Sequence, residues 1–315
     1  MNDLFKSERL VSTISNPENQ RTIRKVFGEF ITEGDLHVLA GITNSGKSIL
    51  ANDIAVMAAG GPTFWGETIC EIEGTSLIFD FELSDLQTAA RYRKGVDMLP
   101  GNIIRAKLSM SGYGASKDEL INEIKSLVEI HRPNLVVLDN LTALLGSSSS
   151  ATEVFDTMTF LKMMKETYDL TIVVVTHLKK QDGRMKKPLT MDCIYGSSAI
   201  TRFADSVSVL GDDPADGRQK YLKMLKTRGG EFTKEVAVMK ITSSPYLHFE
   251  FIDWSTEDYF LPIRKDCMNG AITPELGERI IQLHDDGLSL RKIADETGCS
   301  KSSVGRFLKA AQEFN

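Results

Sequence analysis

Residues 36–59 read LHVLAGITNSGKSILANDIAVMAA, and this stretch decides the predicted fold. The apolar run at 36–40 is typical of a buried strand, and the apolar spacing at 46–59 is typical of a helix. Between them lies a short turn that begins at Gly41 and passes through a second glycine, Gly46. We therefore expect a strand, a glycine-rich loop and a helix in direct succession.

The turn, GITNSGKS at 41–48, fits the pattern G-x-x-x-x-G-K-[ST] at every fixed position. Its glycines let backbone N–H groups wrap around phosphate oxygens, and the N-terminus of the following helix favours an anion. We expect Lys47 to neutralise the β- and γ-phosphates of ATP and Ser48 to coordinate Mg²⁺. An incidental glycine-rich turn is the alternative. The residues expected to bind the nucleotide are Gly41, Ile42, Thr43, Asn44, Ser45, Gly46, Lys47, Ser48 and Ile49.

The succession of apolar run, turn and helical pattern recurs along the chain. Further apolar runs lie at 76–81, 135–139, 171–176 and 206–210, and helical patterns lie at 84–95, 116–131 and 153–168. Short apolar strands that alternate with helices predict a parallel sheet covered on both faces. Three later runs, separated by turn signals, predict antiparallel hairpins at 220–226, 234–240 and 246–252. The predicted fold class is therefore α/β, with a mainly parallel sheet that antiparallel hairpins extend.

The composition sets the wider limits. The chain has 315 residues, of which 42% are hydrophobic and 25% charged, as in folded globular proteins. A net charge of −6 excludes a uniformly basic nucleic-acid coat protein. No apolar run reaches the ~18 residues that cross a bilayer, and the N-terminus lacks a secretory signal. The four cysteines, at 70, 193, 267 and 299, form no C-x-x-C pair, so we expect a reduced, cytoplasmic protein without zinc or disulfides.

The pattern of elements also divides the chain. We expect an N-terminal arm at 1–30, a large domain at 31–255, a polar linker at 256–270 and a small helical domain at 271–315. The length suits one large α/β domain of roughly 200–250 residues with a small appendix.

Two of the apolar runs end in acidic residues, where the carboxyl ends of parallel strands meet. The run at 135–139 ends in Asp139, a form in which the carboxylate supports a Mg²⁺ shell; a helix cap is the alternative. The run at 76–81 is followed by Glu82, which we expect to orient and deprotonate the attacking water. Asp80 lies deeper on the same strand face, so we expect a structural hydrogen-bonding role for it.

The run at 171–176 is followed by a histidine and then by a basic stretch. His177 is expected to sense the γ-phosphate, with a structural role as the alternative. Residues 179–188, KKQDGRMKKP, hold five cations and one acid. Such a segment could track the phosphate backbone of single-stranded DNA without reading bases; a solvated loop is the alternative. Its cations are Lys179, Lys180, Arg184, Lys186 and Lys187.

Together these segments resemble the RecA-like ATPases, and among them the ring-forming replicative helicases of the DnaB and plasmid RepA type. The resemblance covers about 20–255. It rests on GITNSGKS (41–48), LIFDFELS (77–84), LVVLDN (135–140), VVVTHLKK (173–180), YGSSAITRFADS (195–206) and LKTRGG (225–230). It implies a RecA-like P-loop core in which Glu82 is the catalytic glutamate and His177 the polar sensor. It also implies that 179–187 contacts DNA.

The segment LKTRGG resembles the K-x-R hairpin of the same family. That likeness implies that Lys226 and Arg228 reach the nucleotide of a neighbouring subunit, as arginine fingers do. The chain would then act as a homo-oligomer such as a hexamer. A solvated hairpin tip is the alternative reading for both cations, and Arg202 is a weaker second finger.

The C-terminal end carries a second motif. Helical patterns at 274–285, 290–296 and 301–312 predict three short helices, with a tight turn at 297–299 before the last. This is the helix-turn-helix form. The segment GLSLRKIADETGCSKSSVGRFLKAA, at 287–311, resembles the DNA-binding ends of serine recombinases. The likeness implies duplex DNA contact by Lys301, Ser302, Ser303 and Arg306, while Val304, Phe307 and Leu308 face inward; a protein-docking module is the alternative.

Two functions remain in competition. The first is a Mg²⁺-dependent ATPase that binds DNA, as a helicase, a translocase or a replication ATPase of a mobile element. The second is an ATP-switched DNA-binding regulator or recruitment factor without unwinding activity. A kinase on the same loop is disfavoured, because no acceptor-binding motif is visible and the C-terminal motif would be unexplained.

Overall fold

The structure is a computed structural model. It describes residues 7–66, 69–145, 150–179, 188–196, 200, 202–213, 216–261, 274–299 and 301–313. The described residues form two compact units. The first includes those within 7–179 and 189–254, and the second includes 255–261 and 274–313.

The first unit alternates strands and helices. Its elements are α1 (Leu10–Ser15), β1 (Lys25–Phe27), β2 (Ile31–Thr32), β3 (Leu36–Gly41), α2 (Lys47–Ala58), β4 (Ser76–Asp80), α3 (Asp85–Tyr92), β5 (Ile103–Lys107), α4 (Lys117–His131), β6 (Leu135–Asp139), α5 (Ala151–Tyr168), β7 (Thr171–His177), β8 (Ser206–Asp212), β9 (Gln219–Lys226), β10 (Val236–Thr242) and β11 (His248–Ser255). In the described part of the chain, no helix is long and apolar enough to cross a membrane.

Nine of these strands form one sheet, in the order β11-β10-β9-β8-β3-β7-β6-β4-β5. The six strands from β8 to β5 run parallel to one another. The next strand, β9, runs antiparallel to both β8 and β10. Consecutive residues of β3, such as Val38 and Leu39, point to opposite faces of the sheet and are both buried, so both faces are covered. The predicted α/β fold, with its antiparallel extension, is confirmed.

Serine capping boxes begin three of the described helices of the first unit. Ser84, Ser116 and Ser150 each accept a hydrogen bond from the backbone N–H three residues on, in a reciprocal capping box. The prediction placed the start of α5 at 153, but the helix begins at Ala151 because Ser150 caps it. The serine is therefore part of the helix start.

Two further parts of the unit differ from the prediction. The edge strand β5 was not predicted, because its residues are only half-buried and carry two cations within five positions. The segment predicted as an arm contains β1, which pairs with β2, and Val26 and Phe27 within it are fully buried in the core. The first apolar contribution to the core therefore comes before residue 31.

The second unit contains three helices: α6 (Pro274–Asp285), α7 (Leu290–Thr297) and α8 (Lys301–Glu313). Gly298 ends α7 in the left-handed conformation, with φ of 67°, which makes the tight turn that the sequence predicts. Val304 and Leu308 of α8 are buried, and Phe307 packs partly buried beside them, as predicted. The small core consists of Ile280, Leu283, Ile293, Ala294, Cys299, Val304 and Leu308.

One cysteine differs from the expectation. Cys299 is buried in the small core and is disulfide-bonded, so the prediction of a chain without disulfides is wrong at this position. Cys70 and Cys193 are free thiols, as expected.

Candidate functional site

The carboxyl ends of four neighbouring strands bring the predicted catalytic groups together. Gly41 at the end of β3 pairs with His177 at the end of β7, and Asp139 at the end of β6 pairs with Asp80 at the end of β4. Glu82 follows β4 by two residues. We call this region, with the loop at 41–48, the carboxyl edge. It unites the candidate phosphate loop, sensor, metal ligand and base.

The backbone of the loop requires its glycines. Gly46 has a φ of 98°, and a Cβ there would lie 2.7 Å from the ring of Phe249. A Cβ on Gly41 would lie 2.6 Å from the hydroxyl of Ser45. Both positions therefore exclude larger residues, and a tight glycine-containing loop of this kind can turn backbone N–H groups towards an anion.

Lys47 is held close to this loop. Its Nζ donates a hydrogen bond of 2.6 Å to the carbonyl oxygen of Ile42. Burial lowers the pKa of Lys47, and the nearby carboxylates of Asp139, Glu82 and Asp212 oppose that shift. The ammonium is thus desolvated and surrounded by acids, an environment in which a bound phosphate would add a partner.

Ser48 and Asp139 form the candidate metal pair. The carboxylate of Asp139 is 4% exposed, and the nearby hydroxyl of Ser48 favours its charged form. Burial raises the pKa of Asp139 to about 6, with smaller contributions from Glu82 and Asp80. Hydroxyl and carboxylate oxygens are ligands that Mg²⁺ prefers, so these residues fit the metal.

The side chain of Glu82 is held by a neighbour that was not predicted. The amide nitrogen of Asn140 donates a hydrogen bond to Oε1 of Glu82. The hydroxyl of Thr142 in turn donates to the amide oxygen of Asn140. An otherwise exposed carboxylate is therefore fixed by a short polar chain that follows β6.

The backbone of Glu82 is held from the other side by Asp80. Oδ1 of Asp80 accepts hydrogen bonds from the N–H groups of Glu82, at 3.0 Å, and Leu83, at 2.9 Å. Its Oδ2 accepts a hydrogen bond of 2.8 Å from Nε of Arg105 on β5. These contacts agree with the structural role expected for Asp80.

His177 is half-buried between the loop and the candidate base. Burial lowers its pKa, and the charge of Lys47 lowers it further, while Glu82 has a weaker opposite effect. Its Nδ1 has no hydrogen-bond partner among the residues that the structure describes. A neutral imidazole with a ring nitrogen available suits a group that contacts a ligand.

Lys226 and Arg228 lie at the opposite edge of the sheet. Because β9 runs antiparallel to β8, Lys226 pairs with Val207 near the start of β8. Its Nζ donates to the carbonyl oxygen of Ala204 at 2.6 Å, and Arg228 forms an ion pair of 3.1 Å with Asp205. We call this region the amino edge.

The length of the strands separates the two edges. β3 has six residues and therefore spans about 20 Å at a rise of ~3.3 Å per residue. Neither Lys226 nor Arg228 can reach across that distance to the loop of its own chain. The structure thus places the two predicted fingers away from the other catalytic groups of the same chain.

The basic stretch after β7 is described only at its base. Leu178 and Ile194 form a β-bridge, and the backbone N–H of Lys179 donates to the carbonyl oxygen of Cys193 at 2.8 Å. Nζ of Lys179 donates to the carbonyl oxygen of Asp192 at 2.8 Å. The other predicted DNA-contacting cations, Lys180, Arg184, Lys186 and Lys187, lie outside the described residues.

The helix-turn-helix residues are described in part. Lys301 is exposed at the start of α8, and Ser303 is half-buried. The side chains of Ser302 and Arg306 lie outside the described residues, although their backbone belongs to α8. Among the described side chains of α8, Lys301 is therefore the one cation predicted to face DNA.

Two known families match separate segments of the chain. Residues 5–183 match the AAA domain family, and residues 278–315 match a homeodomain-like domain. The first match covers more than half of the chain, so the chain belongs to the AAA domain family. No curated protein matches the chain. The chain thus joins a RecA-like P-loop ATPase domain to a helix-turn-helix domain, and the DnaB or RepA type stays a prediction.

Three side chains of the site were missed by the sequence analysis: Asn140, Thr142 and Arg105. The first two directly follow Asp139, where polar residues gather at the strand ends, so their position was a usable signal. The sequence held no such signal for Arg105, because the strand on which it lies was itself not predicted.

Proposed function

We propose that this chain is a Mg²⁺-dependent ATPase that acts on DNA as a helicase, a translocase or a replication ATPase of a mobile element. One observation carries the proposal. Lys47, Asp139, Glu82 and His177 meet at the carboxyl edge, whereas the cations that would complete the site lie at the opposite edge of the sheet. A second copy of the chain could supply those cations, which favours a ring-shaped homo-oligomer such as a hexamer.

Each group has a role in this proposal. The loop from Gly41 to Ile49 binds the phosphates through backbone N–H groups, and Lys47 neutralises their charge. Ser48 and Asp139 would hold Mg²⁺, which supplies charge neutralisation on the phosphate oxygens when bound. Glu82 accepts the proton of the attacking water.

The remaining residues complete the proposed site. His177 senses the γ-phosphate from the end of β7. Arg228 and Lys226 stabilise the transition state in the neighbouring subunit.

DNA would contact two parts of the chain. Residues 179–187 begin two positions after His177, so single-stranded DNA held there would lie close to the nucleotide sensor. The homeodomain-like segment at 278–315 would hold duplex DNA through Lys301, Ser302, Ser303 and Arg306.

The second candidate function is an ATP-switched DNA-binding regulator or recruitment factor. The homeodomain-like match favours it, because such domains bind duplex DNA without requiring a motor. Both functions predict ATP binding and oligomers, but only the first predicts strand separation.

A forked-duplex assay separates the two functions. The purified chain is incubated with Mg²⁺-ATP and a forked DNA, and strand release and phosphate release are measured in parallel, with and without single-stranded DNA. We expect ATP turnover that single-stranded DNA stimulates, together with strand release. ATP turnover and ATP-dependent oligomers without strand release would favour the regulator. An absence of ATP turnover with and without DNA would reject the ATPase assignment itself.

A further inference from the structure

Asn140 directly follows β6, the strand that ends in Asp139. Its side chain is buried, at 6% exposure, and both ends of its amide are engaged. The nitrogen donates to Oε1 of Glu82, and the oxygen accepts from the hydroxyl of Thr142. Rotation of this buried amide is costly, because it would turn the amide oxygen towards the carboxylate of Glu82, which can only accept hydrogen bonds.

Glu82 decides which way the amide points. An asparagine side chain can place either its oxygen or its nitrogen towards a neighbour. An ionised carboxylate can only accept hydrogen bonds, so the nitrogen is directed at Glu82, and the hydroxyl of Thr142 holds the amide in this orientation by donating to its oxygen. The carboxylate of Glu82 therefore always meets a donor from this side.

The two remaining contacts of Glu82 define its position. Its backbone N–H is fixed by Asp80, whereas its side chain is fixed by Asn140. Within the described part of the chain, Oε2 of Glu82 makes no hydrogen bond. That oxygen is therefore the one left to accept a proton from water.

We propose that Asn140 is a positioning residue for Glu82 and that Thr142 acts only through Asn140; this inference rests on the proposed ATPase function. Asn140 holds the carboxylate at one oxygen and leaves the other for the attacking water. The hydrogen bonds of its side chain go to Glu82 and Thr142, so we expect it to affect the chemical step and to leave nucleotide binding unchanged. A misplacement of about 1 Å can cost a reaction up to about 100-fold.

The test is a double-mutant cycle in the full-length chain. Asn140→Ala removes the donor, and Thr142→Val removes the hydroxyl that donates to the amide oxygen while keeping the shape of the side chain. We expect Asn140→Ala to lower kcat about 10- to 100-fold and Thr142→Val to lower it less. The dissociation constant of a non-hydrolysable ATP analogue stays within about twofold in both variants. We expect the kcat of the double variant to equal that of Asn140→Ala alone, because Thr142 affects Glu82 only through Asn140.

A matched control removes a half-buried amide away from the site. Asn102 donates to the carbonyl oxygens of Ala59 and Gly74, so Asn102→Ala lowers thermal stability but leaves kcat unchanged. Asn140→Asp keeps the volume of the side chain and replaces the donor with an acceptor, so it tests the same contact should Asn140→Ala fail to fold.

Several results would overturn the inference. They are a kcat of Asn140→Ala and Asn140→Asp equal to or above that of the unaltered chain, equal losses in analogue binding and kcat, and strictly additive effects in the cycle. Turnover by the unaltered chain that Glu82→Gln removes and Asn140→Ala spares rejects this inference alone. No turnover by the unaltered chain rejects the proposed function and this inference with it.

Discussion

The two edges of the central sheet differ in how their charged groups are satisfied. At the carboxyl edge, Lys47 bonds to a carbonyl of its own loop and Nδ1 of His177 has no partner among the described residues. At the amino edge, the carboxylate of Asp205 binds Arg228, Lys165 and the backbone N–H of Leu36 together. If the proposed function is correct, the carboxyl edge receives the nucleotide. At the amino edge Arg228 is held in an ion pair and Lys226 bonds to a backbone carbonyl oxygen, so a neighbouring subunit would have to compete for both.

The sharpest test of the carboxyl edge is Glu82→Gln. The amide cannot accept a proton from water, so we expect kcat to fall by up to about 10⁴-fold while ATP binding is kept. Single-turnover phosphate release measures the chemical step, and equilibrium binding of labelled ATP measures the ground state. Turnover close to that of the unaltered chain would remove Glu82 from the mechanism.

The amino edge is tested by Arg228→Ala, for which we expect a loss of about 10³-fold in kcat. Mixing two inactive variants tests whether Arg228 acts on the nucleotide of a neighbouring chain. An equal mixture of Glu82→Gln and Arg228→Ala chains contains interfaces where an intact Glu82 meets an intact Arg228. If these chains assemble at random, about a quarter of the sites are complete and that fraction of activity returns.

The control for the mixing experiment is Lys234→Ala, which removes an exposed cation from the same connection between β9 and β10. It should leave turnover unchanged. A mixture that stays as inactive as its two components would show that Arg228 does not act on a neighbouring chain.

Removing the contact that orders the backbone of Glu82 should have a smaller effect on kcat. Arg105→Ala removes the 2.8 Å contact to Asp80, which orders the backbone of Glu82, so we expect kcat to fall about 10-fold. Lys107→Ala is the matched control, because Lys107 shares the partner Asp85 with Arg105 but, within the described residues, makes no hydrogen bond to Asp80. Steady-state kinetics compare the two variants, and equal effects would mean that the contact to Asp80 has no special role.

The smallest expected effect is on stability and concerns His37, which lies on β3 where this strand pairs with β8. His37 is buried and hydrogen-bonds Ser206 at 2.8 Å and Ser208 at 3.2 Å. Burial lowers its pKa from 6.5 to about 3, so the unfolded chain binds one more proton between these values. The free energy of unfolding should therefore fall as the pH drops below 6.5, by about 1.4 kcal/mol per pH unit from this group.

Urea unfolding of the unaltered chain and of His37→Gln between pH 4 and pH 7 measures this contribution, because only the unaltered chain carries the titrating group. The difference between the two slopes isolates the histidine from the carboxylates. Parallel slopes would contradict the assignment.

The sequence predicts the carboxyl edge better than the amino edge for a physical reason. The phosphate loop, Asp139, Glu82 and His177 all follow apolar strands, and parallel strands bring their carboxyl ends together. Apolar periodicity therefore located these groups without any knowledge of side-chain contacts.

The contacts that orient those groups could not be predicted in the same way. Asn140 reaches Glu82 across 58 positions of sequence, and Arg105 reaches Asp80 across 25. Such pairs depend on the order of strands in the sheet, which periodicity does not give. The half-buried strand β5 was missed because its apolar signal is weak, and Arg105 was missed with it.

The buried carboxylate of Asp53 has a practical consequence for dividing the chain into fragments. Asp53 lies on α2, is 6% exposed and accepts a hydrogen bond of 2.8 Å from the backbone N–H of Phe249 on β11. The ring of Phe249 also lies against the backbone of Gly46. The family match ends at residue 183, so a truncation there would remove both supports of the helix that begins at the phosphate loop. The smallest soluble piece with an intact loop must therefore extend through β11.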